Sequence, residues 1–263
     1  DAAGERVETV RYGRMPESKK VTLQQQLQAE VASIVALRPD LRRVHLADGA
    51  KDNWRLLSEI EQALNLPPQP CVNIVDFYHA CEHLKKGCDA AWGESTPRGK
   101  AEFERLKTLL KEADQGADQV IRALKYQRGR ARGTKRQRLE AELTYFRNQR
   151  PHMDYAAYVR QGLPIASGVI EASCKTLVTQ RMKRSGMAWK QPGGQGILTF
   201  RSLIQSGRWH AAWELLRADF CKEVVVRSTP VVSETRAHIA PSASPPSRVL
   251  LHNVDTTTLP LAI

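Results

Sequence analysis

The stretch RVHLADGAKDNWRLLSEIEQALNLPPQPCVNIVD, residues 43–76, decides the fold class. Apolar runs at 43–47 and 71–75 have the length of strands, and the second is nearly continuous, as in a strand buried on both faces. The segment 52–64 between them carries apolar residues at helical spacing, and PPQP at 67–70 is predicted as a linker. The order strand, helix, strand predicts two parallel strands joined by a helix, and therefore an α/β fold.

The segments before this unit predict one further strand and one further helix. Residues 5–12 alternate apolar and polar side chains, which predicts a strand, and residues 1–5 are typical of a hairpin turn. We therefore expect that strand's hairpin partner upstream of residue 1, in a longer protein. Residues 21–37 are predicted as a helix that Pro39 ends.

The segments after residue 77 are predicted to be helical. Strand signals vanish from 78 to 161, where 103–125 and 138–147 are predicted helices. The stretch LPIASGVIEASCKTLVTQRMKRSG, 163–186, begins with helix-start signals and is predicted as a helix up to Gly186. A Gly-rich turn at 187–196 precedes predicted helices at 197–205 and 209–225, and the Ser, Pro and Thr content beyond Arg227 predicts a disordered tail.

Composition restricts the class of partner. Forty Lys and Arg against 28 Asp and Glu give a formal charge of +12, which favours a polyanion such as nucleic acid. An apolar run of 18 residues and a signal peptide are both missing from the sequence, which argues against a membrane protein. Five cysteines without a CxxC pair are typical of a reduced, cytoplasmic protein with structural thiols.

Three acids are candidates for chemistry. Asp48 and Asp76 each follow a predicted strand, at the sheet edge where α/β folds bind ligands, although an acid there is often a helix N-cap. Glu171 falls near the start of the 163–186 helix, whose end is basic. That arrangement complements the helix dipole, and it also suits a metal ligand on a helix whose far end holds phosphates.

Two histidines follow Asp76 at helical spacing. Asp76, His79 and His83 share one face if a helix begins at once, so they are candidate ligands of zinc or another transition metal. A hydrogen-bonded structural histidine is the alternative.

A basic segment, RGRARGTKRQR at 128–138, contains six Lys and Arg residues in eleven. It is predicted either as a solvated connection between helices or as a flexible loop that contacts phosphates, with Gly129 and Gly133 supplying flexibility.

Three motifs together resemble a known family. ADGAKDNW at 47–54, VDFYHACEHL at 75–84 and PIASGVIEASCKTLVTQRMKRSGMAW at 164–189 are similar to segments of bacterial DDE-type insertion-sequence transposases. The nearest resemblance is to the ISKra group, itself distantly similar to mutator-like transposases. VETVRYGRMPESKK at 7–20 fits the same group, so the resemblance covers roughly residues 5–220. Ala188 departs from the family, which tends to carry Arg there.

The resemblance implies a fold with a defined division of the chain. It implies an RNase H-like mixed sheet, lacking its first strands here, that is interrupted by a large all-helical insertion. The core would be 1–77, the insertion 78–161 and the C-terminal core helices 162–222, followed by the tail at 223–263.

The resemblance also implies roles for the acids. Asp48 would be the second catalytic acid and Glu171 the third, both ligands of two Mg²⁺ or Mn²⁺ ions. His79 would assist near the scissile phosphate, with Asp76 as its accessory partner. The first acid is expected on a strand upstream of residue 1, so the resemblance implies catalysis only when that acid is supplied.

The family's activity and partners complete the expectation. It implies DNA cleavage and strand transfer in transposition, a nucleoid-associated bacterial protein, and a homo-oligomer that pairs DNA ends. Phosphates of the transposon-end and target DNA would be bound by Arg128, Arg130, Arg132, Lys135, Arg136, Arg138, Lys175, Arg181, Lys183 and Arg184. A non-catalytic DNA-binding remnant and an RNase H-like nuclease are the alternatives.

Overall fold

The computed structural model describes residues 8–66, 71–183 and 186–221. The predicted linker at 67–70, Arg184, the turn before residue 6 and the tail after residue 222 lie outside these residues. The described residues up to Trp209 form one unit, and 210–221 belong to a second.

The fold is α/β and mostly helical. Its elements in chain order are α1 (Val21–Leu37), β1 (Val44–Ala47), α2 (Lys51–Ala63), β2 (Val72–Val75), α3 (Phe77–Trp92), α4 (Pro97–Glu112), α5 (Gly116–Arg130), α6 (Gly133–Gln149), α7 (Tyr155–Arg160), α8 (Gly168–Ser173), α9 (Gln180–Met182), α10 (Gln191–Gln205) and α11 (Trp209–Phe220). A π-helical segment, Cys174–Thr179, joins α8 to α9.

The predicted parallel pair is confirmed. β1 and β2 run parallel, with Ala47 opposite Val75, and they form a two-stranded sheet among the described residues. Because the two strands are in register, Asp48 and Asp76 follow them at the same edge. Helix α2 joins the strands, as the spacing of its apolar residues predicts.

The hydrophobic core continues from the sheet into the helices that follow. Ile74 and Val75 are fully buried, and they belong to one cluster with Leu84, Leu124 and Phe146 of α3, α5 and α6. Helices α3 to α6 pack against one another, and α7 packs on α4. Since the strands and the helices after residue 77 share one hydrophobic core, these helices help to hold the strands in place. The predicted division at 77 and 161 remains a prediction.

The predicted strand at 5–12 is wrong for its described part. Residues 8–12 have no regular secondary structure and pair with no described strand. Within this segment the Arg11 amide donates to Ser206 Oγ, just beyond α10, at 2.8 Å. The amide of the following Gly13 donates to Ser202 Oγ of α10 at 3.0 Å. A backbone amide needs an acceptor, and here serine hydroxyls supply it.

Several predicted boundaries move because packing overrides local pattern. The segment 103–125 is two helices, broken at Gln115, whose φ is +55°. The predicted flexible loop at 128–138 is a short connection, since α5 runs through Gly129 and α6 begins at Gly133. The predicted Gly-rich turn is largely the first part of α10, where Gly194 lets Met15 approach closely.

The stretch 163–186 is less regular than a single helix. Helical structure begins at Gly168, passes through the π-helical segment and ends at Met182. Arg201 of α10 donates to the carbonyl oxygens of Thr176 and Leu177, and Arg11 donates to Ser173 Oγ at 2.9 Å. The wider turn is therefore held by donors from outside the helix.

Candidate functional site

Asp48 lies exposed in the turn between β1 and α2. Its Oδ1 accepts hydrogen bonds from the Ala50 amide and from Asn53 Nδ2, each at 2.9 Å. Ala50 is the N-cap residue of α2, so Asp48 forms an Asx-type turn before the helix and is not the cap. Desolvation raises the pKa of Asp48, but these hydrogen bonds and the nearby His79 outweigh it and hold the pKa below its usual value.

Two neighbours fix the position of this turn. Lys20 Nζ donates to Asn53 Oδ1 at 2.7 Å, which orients the amide that contacts Asp48. Gln149, a buried residue at the end of α6, donates from Nε2 to Gly49 O at 2.8 Å, and its Oε1 accepts from Trp54 Nε1 at 3.2 Å. The helical region thus holds the backbone next to Asp48.

Asp76 is buried and uses both carboxylate oxygens. Oδ1 accepts from the His79 amide at 3.0 Å, so Asp76 is the N-cap of α3. Oδ2 accepts from both the amide and the hydroxyl of Ser167. Burial raises the pKa of Asp76, but the hydrogen bonds from these donors lower it by a larger amount, so the pKa is below its usual value. Asp76 therefore links the sheet edge to the segment that leads into α8.

Glu171 is brought to the same region by this link. The Phe77 amide donates to Ile165 O at 2.8 Å, which together with the Ser167 contacts docks 165–167 onto the start of α3. Helix α8 begins at Gly168, and Glu171 lies exposed in its first turn. A residue 123 positions from Asp48 in sequence thus reaches the sheet edge.

His79 and His83 do not form a metal site with Asp76. His83 Nδ1 lies 2.7 Å from Glu142 Oε2, and its ring stacks on Tyr145 at 3.6 Å. His79 is half-buried, with Nδ1 3.5 Å from Glu82. Asp76, His79 and His83 do not gather their ligand atoms within 4.8 Å of one another. The alternative of a hydrogen-bonded structural histidine holds for His83.

One cleft of about 1230 Å³ collects four of the predicted residues: Asp48, Asp76, His79 and Glu171 all line it. The three carboxylates do not all lie within 4.8 Å of one another. The remaining lining residues are Leu23, Leu27, Leu46, Ala47, Asn53, Leu56, Leu57, Tyr78, Cys81, Glu82, Lys85, Lys86, Phe103, Ser167 and Ile170. The cleft thus combines carboxylates, two lysines and an apolar wall.

Sequence reasoning missed several residues of this cleft. Asn53 and Ser167 both fall inside the quoted motifs, yet their contacts with Asp48 and Asp76 depend on how the segments pack. Lys86 is exposed, while Lys85 is paired with Asp89 on the same helix. Gln149 carries no signal in the sequence that marks it as a neighbour of Gly49.

The predicted phosphate-binding residues differ in their exposure and in the partners that they contact within the chain. Arg128 pairs with Glu140 at 2.7 Å, Lys135 donates to Ala91 O at 2.7 Å, and Arg130 binds the Tyr126 hydroxyl at 2.6 Å. The exposed residues are Arg130, Arg132, Lys135, Arg136 and Arg138 around the α5–α6 connection, and Lys175, Arg181 and Lys183 on the 163–186 stretch. These residues do not line the cleft, and Arg184 lies outside the described part of the chain.

The described residues contain one group of three potential metal ligands, and sequence reasoning did not find it. His45, Glu61 and Cys71 bring their ligand atoms within 4.8 Å of one another. All five cysteines are free thiols.

Within the described part of the chain, no helix is both long enough and apolar enough to cross a membrane. Comparison with protein-family models, with curated proteins and with solved structures found no match for this chain.

Proposed function

We propose that this chain is the catalytic region of a DDE-type insertion-sequence transposase with an RNase H-like core, which cleaves DNA and transfers strands during transposition. The observation that carries the proposal is that Asp48 and Glu171, far apart in sequence, line one cleft with Asp76 and His79. The sequence resemblance supports the same assignment independently.

The donor set fits a hard divalent cation. Asp48 and Glu171 are exposed carboxylates, the ligand type that Mg²⁺ and Mn²⁺ prefer. Both hydrogen bonds from Ala50 and Asn53 reach Oδ1 of Asp48, so Oδ2 takes part in neither. Asp76 uses both oxygens within the protein, which suits a positioning residue. Bound by Asp48 and Glu171, two such ions would stabilise the attacking and leaving oxygens of phosphoryl transfer.

The chain's own groups have separate roles in this proposal. Asp76 anchors Ser167 and thereby sets where Glu171 stands. His79 and Lys86 face the cleft and contact the DNA phosphates nearest the reaction. The exposed basic residues around the α5–α6 connection bind DNA backbone phosphates at a distance from the cleft, without reading sequence. A second copy of the chain would bind the other DNA end.

A strand-cleavage assay with Mg²⁺ or Mn²⁺ tests the proposal, on the chain with added upstream sequence that supplies the expected first acid. Asp48→Asn and Glu171→Gln should each abolish cleavage, because each removes a ligand charge. Glu112→Gln is the matched control, since Glu112 is an exposed carboxylate that does not line the cleft and has no role in the proposal. Full cleavage by Asp48→Asn or Glu171→Gln would refute the assignment.

A non-catalytic DNA-binding protein is the second candidate, favoured by the basic residues that lie away from the cleft. It predicts DNA binding that weakens steeply with salt, without metal-dependent cleavage. Replacing Arg132, Arg136 and Arg138 together by alanine would then abolish DNA binding, which is the only activity of such a protein. For a transposase the same change lowers DNA affinity and leaves the metal dependence of cleavage intact.

A further inference from the structure

A second cluster of chemically active side chains lies at the opposite end of the strands from the cleft. His45 lies within β1, Cys71 directly precedes β2, and Glu61 is in the last part of α2. All three are half-buried. Asp48 and Asp76 follow the carboxyl ends of the same strands, so the cluster is separate from the candidate catalytic site.

Two distances within the cluster match the edges of a tetrahedral metal site. Bond lengths of about 2.3 Å for Zn–S and about 2.0–2.2 Å for Zn–N and Zn–O place tetrahedral ligand atoms roughly 3.3–3.6 Å apart. His45 Nε2 lies 3.3 Å from Glu61 Oε1 and 3.5 Å from Cys71 Sγ. His45 Nε2 therefore stands at ligand spacing from both a carboxylate and a thiol. Cys71 Sγ also lies 3.4 Å from His45 Nδ1, so the thiol is close to both ring nitrogens.

Neighbouring side chains orient His45 and Glu61 within the cluster. His45 Nδ1 lies 3.0 Å from Asn73 Oδ1. In the tautomer in which Nδ1 donates to this oxygen, Nε2 presents its lone pair as a ligand. Arg43 Nε donates to both oxygens of Glu61, at 3.0 and 3.1 Å, which fixes the carboxylate. Asn73 is opposite His45 in the sheet register, so the partner is set by strand pairing.

We propose that His45, Glu61 and Cys71 form a zinc site that fastens α2 to the amino ends of β1 and β2. Thiolate, imidazole and carboxylate are the ligand types of Zn²⁺, while the all-oxygen donors at the cleft suit Mg²⁺ or Mn²⁺. Zn²⁺ binding displaces the Cys71 thiol proton. Two anionic ligands and the Arg43 guanidinium then leave the occupied site with one positive charge. Water completes the fourth position.

Titration of the reduced full chain with Co²⁺ tests the proposal, because Co²⁺ bound to a thiolate absorbs by charge transfer. One Co²⁺ per chain should produce the band, Zn²⁺ should displace it, and excess Mg²⁺ should not. Cys71→Ser should abolish the band. Cys174→Ser combined with Cys221→Ser is the control, since both are exposed cysteines outside the cluster, and should leave it unchanged.

Asn73→Ala supplies a variant that keeps all three ligands. Loss of such an orienting partner should weaken Co²⁺ affinity roughly 10- to 100-fold. Circular dichroism of the metal-free variants checks that their helices persist. A missing band in the native chain, a band that survives Cys71→Ser, or unchanged affinity in Asn73→Ala would each overturn the site.

Discussion

Gln149 offers the most direct test of how the helical region holds the turn that carries Asp48. Its amide donates to Gly49 O at 2.8 Å and accepts from Trp54 Nε1 at 3.2 Å, and the residue is 9% exposed. Gln149→Met keeps the length of the side chain, so little cavity is created, but it removes both hydrogen bonds. The change therefore isolates the polar contribution of one side chain.

The expected cost follows from the two partners left behind. A buried polar group that loses its hydrogen-bond partner costs about 1–3 kcal/mol. Gly49 is buried, which places its carbonyl toward the upper part of that range, while Trp54 is half-buried and its N–H belongs toward the lower part. We expect Gln149→Met to lower the free energy of unfolding by roughly 2–4 kcal/mol.

Urea denaturation followed by circular dichroism measures this loss. Asn148→Met is the matched control, because Asn148 precedes Gln149 on α6 and is exposed. A surface change of that kind should stay within about 0.5 kcal/mol of the native chain. If Gln149→Met and Asn148→Met had the same free energy of unfolding, the contacts with Gly49 and Trp54 would contribute nothing, and the reasoning would fail.

Three further changes test other contacts. Tyr155→Phe removes the buried hydrogen bond from the hydroxyl to Val75 O at 3.0 Å and should lower the free energy of unfolding by about 1–3 kcal/mol in urea, whereas an unchanged value would show that the bond adds no stability. The pKa of Asp76 is lowered in the folded state, so the ionised carboxylate stabilises the fold fully above the unfolded pKa of about 3.9, and this contribution is lost as pH falls through the lower folded pKa. The difference in free energy of unfolding between the native chain and Asp76→Asn should therefore become smaller from roughly pH 6 to pH 3, and a constant difference would contradict this. Gly49→Ala should cost roughly 1–2 kcal/mol, because φ is +87° and the added Cβ lies 3.1 Å from a buried side chain, while Gly129→Ala in open space on α5 should stabilise by about 0.5–1 kcal/mol; equal melting temperatures would refute the distinction.

The local sequence pattern was sufficient to predict those elements whose apolar residues are spaced as their packing in the fold requires. Residues 21–37, 43–47, 52–64 and 71–75 fold close to their predicted bounds, because apolar spacing and the Pro residues act within each segment. The position of Asp48 and Asp76 at one edge follows from parallel pairing, which the strand–helix–strand order predicts. The catalytic and metal-binding roles of Asp48, Glu171 and His79 remain predictions.

Boundaries that depend on distant partners were not predictable. Residues 8–12 alternate like a strand, but the amides of Arg11 and of the following Gly13 donate to Ser206 and Ser202, at and just beyond the end of α10, and not to another strand. Glycines suggested a turn before residue 197, yet α10 includes three of them, one packed against Met15. In both cases a long-range contact outweighs a weak local preference.

The sequence by itself determined the parallel β-α-β unit, the helical region after it and the chemical identity of the acids. Only the tertiary structure decided which groups meet. Gln149 reaches Gly49 across 100 positions, Ser167 reaches Asp76 across 91, and His45, Glu61 and Cys71 converge from a strand, a helix and a connection. Periodicity acts over a few residues, whereas these contacts arise when buried apolar faces fix the elements against one another and leave specific polar groups within hydrogen-bonding distance.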